Sequence, residues 1–397
     1  MTRTLAGDRL KTIAAVYLSG LLQGIALILF PAAGPLLTDP AYHGLSSGQF
    51  GLLFAPQIVA AIVASALAAR LADRFGMQRV LRAGLAADLL AMLLLAGSHA
   101  AISRRDTAFV ALLLATGAIG AGFGFTLSAL NAYAFDLFRD RADAAVTALH
   151  VMTGLGQVGA SLILNAFIGF GAWWGGPLAV AVALAAMSAF QAGQPLPSRR
   201  GRASTSEFAG HRLPGRVWLY AAVVFLYGMA EATFGNWSAI YLEQDAGLAM
   251  AEAGLALSAF WGAVTAGRAL FALIAVRFRP QPLYRVSPFV VAAAFVLLPS
   301  ANGLGPSMLA LGLAGLALSF FFPLSVSLAS AEQPDKAPAV SGALVAAIML
   351  GSGLSANAIG FVREAVGLPT IFRASSVYAL VMAAIVVYLG VSKRRHG

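Results

Sequence analysis

The sequence predicts an all-α polytopic membrane protein with twelve transmembrane helices in two six-helix halves. Its composition excludes a soluble globule, because 59% of the 397 residues are hydrophobic and only 11% are charged, against about 45–50% and about 25% in soluble domains. The apolar residues also fall into runs of about 20, the length that a helix needs to cross a bilayer. The basic residues lie between those runs, as in the loops of membrane proteins.

Twelve apolar runs follow one another along the chain and define the predicted spans. They occupy residues 12–36, 47–69, 80–98, 108–135, 143–170, 175–192, 217–242, 252–276, 284–300, 305–330, 338–362 and 370–391. The first run is longer than the apolar part of a signal peptide, and no small-residue cleavage site follows it. We therefore expect it to be retained as a membrane span.

The basic residues predict the orientation of these spans. With the N-terminus in the cytoplasm, twenty-one Lys and Arg residues lie on the inner side, four lie outside and Arg268 falls within span eight. Excess positive charge marks cytoplasmic segments. We therefore expect both termini in the cytoplasm and the protein in the plasma membrane, which is the inner membrane if the source is bacterial.

The longest polar stretch, residues 194–216, divides the spans into six and six. It contains Pro195, Pro197, a Ser/Thr run and five arginines, a composition typical of a solvated linker. The predicted domains are thus an N-terminal half (1–193), the linker and a C-terminal half (217–397). Two related six-helix halves are typical of secondary transporters that work by alternating access.

The strongest local signal lies between spans two and three. Residues 69–79 read Ala-Arg-Leu-Ala-Asp-Arg-Phe-Gly-Met-Gln-Arg. They resemble the signature loop of the major facilitator superfamily, Gly-x-Leu-Ala-Asp-Arg-x-Gly-Arg-Arg/Lys-Arg/Lys, with Asp73, Arg74, Gly76 and Arg79 in matching places. The resemblance implies a gate in which Asp73 approaches the start of span eleven and stabilises the outward-facing state. The alternative is an ordinary Asp-Arg cytoplasmic turn.

Shorter motifs in spans four, five, seven, eight and ten resemble one branch of that superfamily, the sugar transporters that include the fucose–galactose–glucose proton symporters. The motifs are Asn131-Ala132-Tyr133, Leu149-His150 with Gly154-Leu155-Gly156, Tyr227-Gly228-Met229-Ala230-Glu231 with Gly235-Asn236-Trp237, Phe260-Trp261-Gly262 with Gly267-Arg268, and Phe321-Phe322-Pro323. Members of that branch carry essential carboxylates in spans one and four. Here span one offers Gln23, and span four has no carboxylate before Asp136 at its cytoplasmic end, so the proton site of the branch does not carry over.

Ionisable side chains within membrane spans are costly and are functional candidates by default. Glu231, about halfway along span seven, is either a proton carrier or one partner of a permanent ion pair. Arg268 is always charged and either neutralises Glu231 or binds an anionic or hydroxylated solute. Asp88 in span three is assigned mainly a structural hydrogen bond, with proton coupling as its alternative.

A polar stripe on span five begins at His150, which is a further candidate for proton coupling. Thr153, Gln157 and Ser161 follow at intervals of three to four residues and share one helix face. We expect this face to line a cavity, with interhelical hydrogen bonding as the alternative. The predicted substrate contacts in all spans are Gln23, Asn131, His150, Gln157, Tyr227, Glu231, Trp237, Trp261 and Arg268.

Several kinds of site are not expected. The chain has no cysteine, which excludes disulfides, thiolate metal sites and a cysteine nucleophile. The Gly-x-Gly-x-x-Gly pattern at residues 154–159 lies inside a span and predicts close helix packing rather than a dinucleotide site. The Gly20/Gly24 pair and the glycines of residues 117–124 predict the same. Neither a cofactor nor a metal is expected. No DNA- or RNA-binding motif accompanies the positive charge, so nucleic acid is not an expected partner.

These observations favour secondary transport of a small polar, possibly sugar-like solute by alternating access, coupled to protons. The expected partners are the solute, protons and the lipid bilayer, with the chain acting as a monomer. The first alternative is an efflux pump for lipophilic or drug-like compounds, which a cavity with few charges would also suit. A sensor or assembly factor is a second alternative. No catalytic constellation supports an enzyme.

Overall fold

The computed structural model describes residues 2–138, 141–193, 196, 213–274 and 281–396, and in these ranges the regular structure is helical, without strands. Apolar runs of about 20 residues, which are too long for a strand, dictate this. The helices of the N-terminal sequence are α1 (Thr2–Ala32), α2 (Gly34–Thr38), α3 (Ser47–Leu52), α4 (Phe54–Phe75), α5 (Met77–Gly97), α6 (Arg105–Leu137), α7 (Ala142–Gly169) and α8 (Gly175–Ala192). Those of the C-terminal sequence are α9 (Gly215–Ile240), α10 (Met250–Ile274), α11 (Gln281–Leu297), α12 (Leu304–Ser319), α13 (Phe321–Glu332), α14 (Ala337–Val362) and α15 (Leu368–His396).

Within the described ranges, 12 helical segments are long and apolar enough to cross a membrane, which confirms the predicted count. Spans one, two and ten each consist of two helices. The interruptions fall at Ala33, Leu53 and Phe320. Span four begins at Arg105, three residues before its predicted start, whereas the predicted end of span eight lies outside the described residues.

The chain divides into two compact units. The first unit comprises Met1–Leu45 and Ala55–Thr205, and the second comprises Ser46–Phe54 and Ser206–Gly397. The second unit therefore includes α3, the first part of span two. Most of the linker proposed from the sequence, residues 194–216, lies outside the described residues.

Close backbone crossings hold the first unit together. On α1, a Cβ added to Gly24 would overlap the carbonyl oxygen of Thr153, and on α7 a Cβ added to Gly156 would overlap that of Leu21. Glycine at both positions lets two helix backbones touch. The expectation of close packing is confirmed for these residues. Gly159, from the same sequence pattern, has no neighbour within 4 Å.

The second unit is built around α9, which packs against α14 and α15. The added Cβ of Gly228 would overlap the carbonyl oxygen of Ile348, and that of Gly351 would overlap the carbonyl oxygen of Phe225. The short helix α3 crosses α14 at Gly51, where a Cβ would lie 3.0 Å from the Cα of Gly360. These contacts fix the rotation of α9 and hence the direction of its polar side chains.

Candidate functional site

Three polar side chains meet in the middle of the second unit. Tyr227 and Glu231 are four residues apart on α9 and share one face. The Tyr227 hydroxyl donates to Glu231 Oε1 at 2.7 Å, and Arg268 NH2 on α10 lies 3.7 Å from the same oxygen. The pairing of Glu231 with Arg268 expected from the sequence is therefore present. Its long distance makes it a charge contact rather than a short hydrogen bond.

Arg268 has a second partner at the break in span ten. Its Nε donates to the backbone carbonyl of Ser319 at 3.3 Å. In a continuous helix this carbonyl would accept the N–H of the residue four positions later, but that residue is Pro323, which has no N–H and whose ring clashes with that carbonyl. The proline thus ends α12 and leaves a carbonyl free for the guanidinium.

This carbonyl was not predicted from the sequence, although Pro323 was the signal that could have revealed it. Gly267, beside Arg268, makes the contact possible. An added Cβ there would lie 2.7 Å from the Cβ of Ser319, so a larger residue would push α10 away from the helix break. Interrupted membrane helices with free backbone groups are typical of transporter binding sites.

Aromatic rings surround the polar cluster and mostly stack on one another. Tyr227 stacks on Phe321 and Phe322, with ring centroids 6.1 and 6.2 Å apart. Trp261 lies against Gly235, whose added Cβ would be 2.9 Å from the indole ring. Its buried Nε1 has no hydrogen-bond partner among the described residues.

Trp237, also predicted to contact substrate, lies in a packing position. Its side chain is fully buried, and Phe50 of α3 meets it edge-on at 5.2 Å between ring centroids. Within the described structure, no hydrogen bond or ring contact joins it to Glu231 or Arg268. Its indole Nε1 likewise has no partner within the described ranges.

In the first unit, the structure brings two predicted site residues together. Gln23 of α1 donates through Nε2 to Asp88 Oδ1 of α5 at 3.4 Å. Both side chains are buried, with 1% and 0% of their surface exposed. The hydrogen bond expected for Asp88 is present, and its partner is the polar residue of span one that had been assigned to substrate binding.

The polar stripe of span five faces α1 in part. Thr153 donates its hydroxyl to the Leu149 carbonyl at 3.1 Å and lies against Gly24 of α1. His150 is half-buried, and Gln157 is 7% exposed. The oxygens Gln157 Oε1 and Asn131 Oδ1 are buried and have no hydrogen-bond donor among the described residues. Both are acceptors that a polar ligand could satisfy.

The signature loop is a tight turn between α4 and α5. Gly76 has φ 88°, a left-handed conformation that favours glycine, and its N–H donates to the Ala72 carbonyl at 2.8 Å. Arg74 lies over the Phe75 ring at 5.2 Å. Asp73 and Arg79 are exposed, and in the described part of the chain no hydrogen bond or ion pair is recorded for Asp73.

A further histidine cluster in the first unit was not singled out from the sequence. His43 Nε2 lies 2.9 Å from the Ser98 hydroxyl, and the His43 ring meets Trp173 edge-on at 5.5 Å. Burial and, to a smaller extent, repulsion from His99 lower the pKa of His43 to about 4, against the opposing effect of its hydrogen bond with Ser98. His43 is therefore neutral at physiological pH and serves packing rather than proton transfer there.

The sequence model of the Major Facilitator Superfamily matches residues 12–356. No curated protein sequence matches the chain. Among solved structures, a mutant of the nucleoside transporter NupG superimposes with a TM-score of 0.77 at 15% identity, covering 96% of this chain and 99% of that one. A D-xylose-proton symporter superimposes with a TM-score of 0.76 at 14% identity, covering 96% of each chain. At these identities the likeness shows the fold alone.

Proposed function

Because the chain belongs to the Major Facilitator Superfamily, we propose that it is a secondary transporter that moves a small polar, sugar-like solute across the plasma membrane by alternating access. One observation carries the proposal: Tyr227, Glu231 and Arg268 meet beside the break in span ten, where Arg268 also binds a free carbonyl. A solute with several hydroxyl groups could accept from the guanidinium and donate to the carboxylate. The two similar structures are named for polar solutes, a nucleoside and D-xylose.

The same cluster supports coupling to protons, with Glu231 as the carrier. Arg268 is shared between Glu231 and the Ser319 carbonyl, so a solute that draws the guanidinium away leaves the carboxylate without its counter-charge. An unpaired carboxylate in a partly buried site is costly, and uptake of a proton removes that cost. Substrate and proton would then bind together. Asp88 and His150 are the next candidates for this role.

A ligand screen on the purified protein tests the substrate class. We expect sugars, polyols or nucleosides to raise the melting temperature and lipophilic cations to leave it unchanged, because the cluster offers directed polar groups. A ligand at one hundred times its dissociation constant stabilises the folded state by about 2.7 kcal/mol. Arg268→Lys should lose the shift, since lysine lacks the planar fork that reaches two acceptors. A shift produced only by lipophilic cations would favour efflux instead.

We also propose that Asp73 acts with Arg74, Gly76 and Arg79 as a cytoplasmic gate that stabilises the outward-facing state. The turn at Gly76 and the exposed carboxylate of Asp73 support this role. A carboxylate interacts favourably with a helix N-terminus, and the resemblance of the signature loop implies that Asp73 approaches the start of span eleven. Asp73→Asn removes that charge and is expected to increase the inward-facing population.

Double electron–electron resonance between one spin label on each half measures this shift. The chain has no native cysteine, so introduced cysteines are the only labelled positions. Asp106→Asn, which changes an exposed carboxylate at the other end of the spans, is the matched control. Unchanged distance distributions in Asp73→Asn would contradict the gate.

A further inference from the structure

A buried carboxyl group without a cationic partner lies in the first unit. Asp88 is 0% exposed, and it forms no ion pair with any of the described residues. Its Oδ1 accepts from Gln23 Nε2 at 3.4 Å, whereas its Oδ2 has no partner among the described residues. Asp88 therefore differs from Glu231, which has both a phenol and a guanidinium.

Asp88 lies where α5 and α6 cross closely. A Cβ added to Gly122 of α6 would overlap the Asp88 carboxyl group, and one turn earlier on α5 a Cβ added to Gly84 would lie 2.7 Å from the Thr126 N. The two helices thus cross with Asp88 opposite Gly122 and Gly84 opposite Thr126. The carboxyl group is fixed at this crossing.

A count of donors and acceptors shows what the cluster lacks. Gln23 Oε1, Asp88 Oδ2 and Thr126 Oγ1 are all buried without a hydrogen-bond partner within the described ranges. The Thr126 hydroxyl can donate to only one of the other two atoms, and an ionised carboxylate, which only accepts, leaves the second without a donor. A protonated carboxyl group supplies one O–H, which can serve the Gln23 oxygen while Oδ1 still accepts from the Gln23 amide.

We infer that Asp88 is a proton-binding site of the first unit and that it carries its proton in this conformation. The proton comes from water and adds to one carboxylate oxygen, and no other bond changes. Protonation removes an unpaired buried charge and provides the missing donor. Gln23 positions the acid from α1, so separation of α1 from α5 would admit water and release the proton. The inference rests on the first unit alone and does not require the proposed substrate.

The elements packed around Asp88 bring no opposing charge to it. Helix α8 contains no titratable side chain. The charged residues of α6, and those of α1, lie toward the helix ends, and Tyr17 of α1 donates to the Ala145 carbonyl at 3.0 Å. Among the described residues, the groups next to Asp88 are the Gln23 amide, the Gly122 backbone and the Thr126 hydroxyl.

Infrared difference spectroscopy of the purified protein tests the inference without a transport assay. We expect a C=O stretching band of a protonated carboxyl group near neutral pH, and we expect Asp88→Asn to remove it. Asp106→Asn, at an exposed position, should leave the band unchanged. A wild-type band that persists in Asp88→Asn, or the absence of any such band, would overturn the assignment.

The pH dependence of stability is an independent measurement. Unfolding exposes Asp88 to water, where it loses its proton at neutral pH, so the unfolded state binds fewer protons and stability falls as pH rises. Between about pH 6 and about pH 8 the wild-type melting temperature should fall relative to that of Asp88→Asn. If the melting temperatures of the wild type and of Asp88→Asn changed in parallel with pH, the result would contradict the inference. If Asp88→Asn does not fold, the infrared spectrum of Gln23→Leu decides instead. Loss of the Gln23 amide donor must shift the C=O band of a protonated Asp88, so an unmoved band would refute the site.

Discussion

Replacing Glu231 with Gln is expected to abolish the response of substrate flux to an imposed pH gradient, while exchange of substrate between the two sides continues. In the wild-type protein the Tyr227 hydroxyl lies 2.7 Å from the Glu231 carboxylate. Glutamine keeps the length of the side chain and can still accept this hydrogen bond through its amide oxygen. It cannot bind and release a proton. Flux measured in proteoliposomes with and without a gradient separates these two properties.

The replacement also leaves Arg268 without its counter-charge, so loss of stability must be distinguished from loss of coupling. Breaking a buried ion pair by removing one partner costs about 3–5 kcal/mol of stability. Because the pair of Glu231 and Arg268 is partly exposed, the stability lost in Glu231→Gln should lie at the lower end of that range or below it. The double variant Glu231→Gln with Arg268→Gln should recover part of the lost melting temperature but remain uncoupled. Strictly additive losses would argue against an energetic pair.

A matched control is available on the neighbouring helix. Glu252 is half-buried at the start of α10 and accepts from the Ala249 N–H at 3.0 Å. Glu252→Gln removes the same charge without touching the cluster, so it should leave the response to the gradient intact. A Glu231→Gln variant that the gradient still drives would move the coupling site elsewhere, with Asp88 first in line.

The fold could be predicted from the sequence because hydropathy is a property of each segment alone. Twelve apolar runs and the positions of the arginines carry that information without any knowledge of helix neighbours. The pairing of Glu231 with Arg268 could also be proposed, since both are costly inside a membrane and lie at similar depths in adjacent spans.

The remaining site contacts depend on which helix faces touch, and a pattern within one helix does not determine that. Gln23 was predicted to contact substrate, whereas the structure places its amide against Asp88. The break in span ten was missed because its cause, Pro323, acts on a carbonyl four residues away. The spacing of the glycines likewise could not show that Gly156 lies at a close helix crossing and Gly159 does not.

Replacing Gly156 with Ala is expected to destabilise the protein strongly, whereas the same change at Gly159 should be neutral or slightly stabilising. At Gly156 a new Cβ would overlap the Leu21 carbonyl oxygen and lie 2.9 Å from the Ile25 N. Both are backbone atoms of α1, so no side-chain rotation relieves the overlap. At Gly159 no atom lies within 4 Å, and alanine is the better helix former.

The size of the difference follows from the rigidity of the crossing between α1 and α7. Gly24 meets the Thr153 carbonyl on the opposite side of the same contact, so α1 cannot slide along α7 to make room. Overpacking typically costs about 1–3 kcal/mol of folding stability. Because Gly156→Ala would force two helix backbones apart, its cost should lie at least in the upper part of that range. Because α1 also carries Gln23, Gly156→Ala should disturb the contact with Asp88 as well. Intrinsic tryptophan fluorescence during heating compares the two variants directly, and equal melting temperatures would show that the crossing is not closely packed.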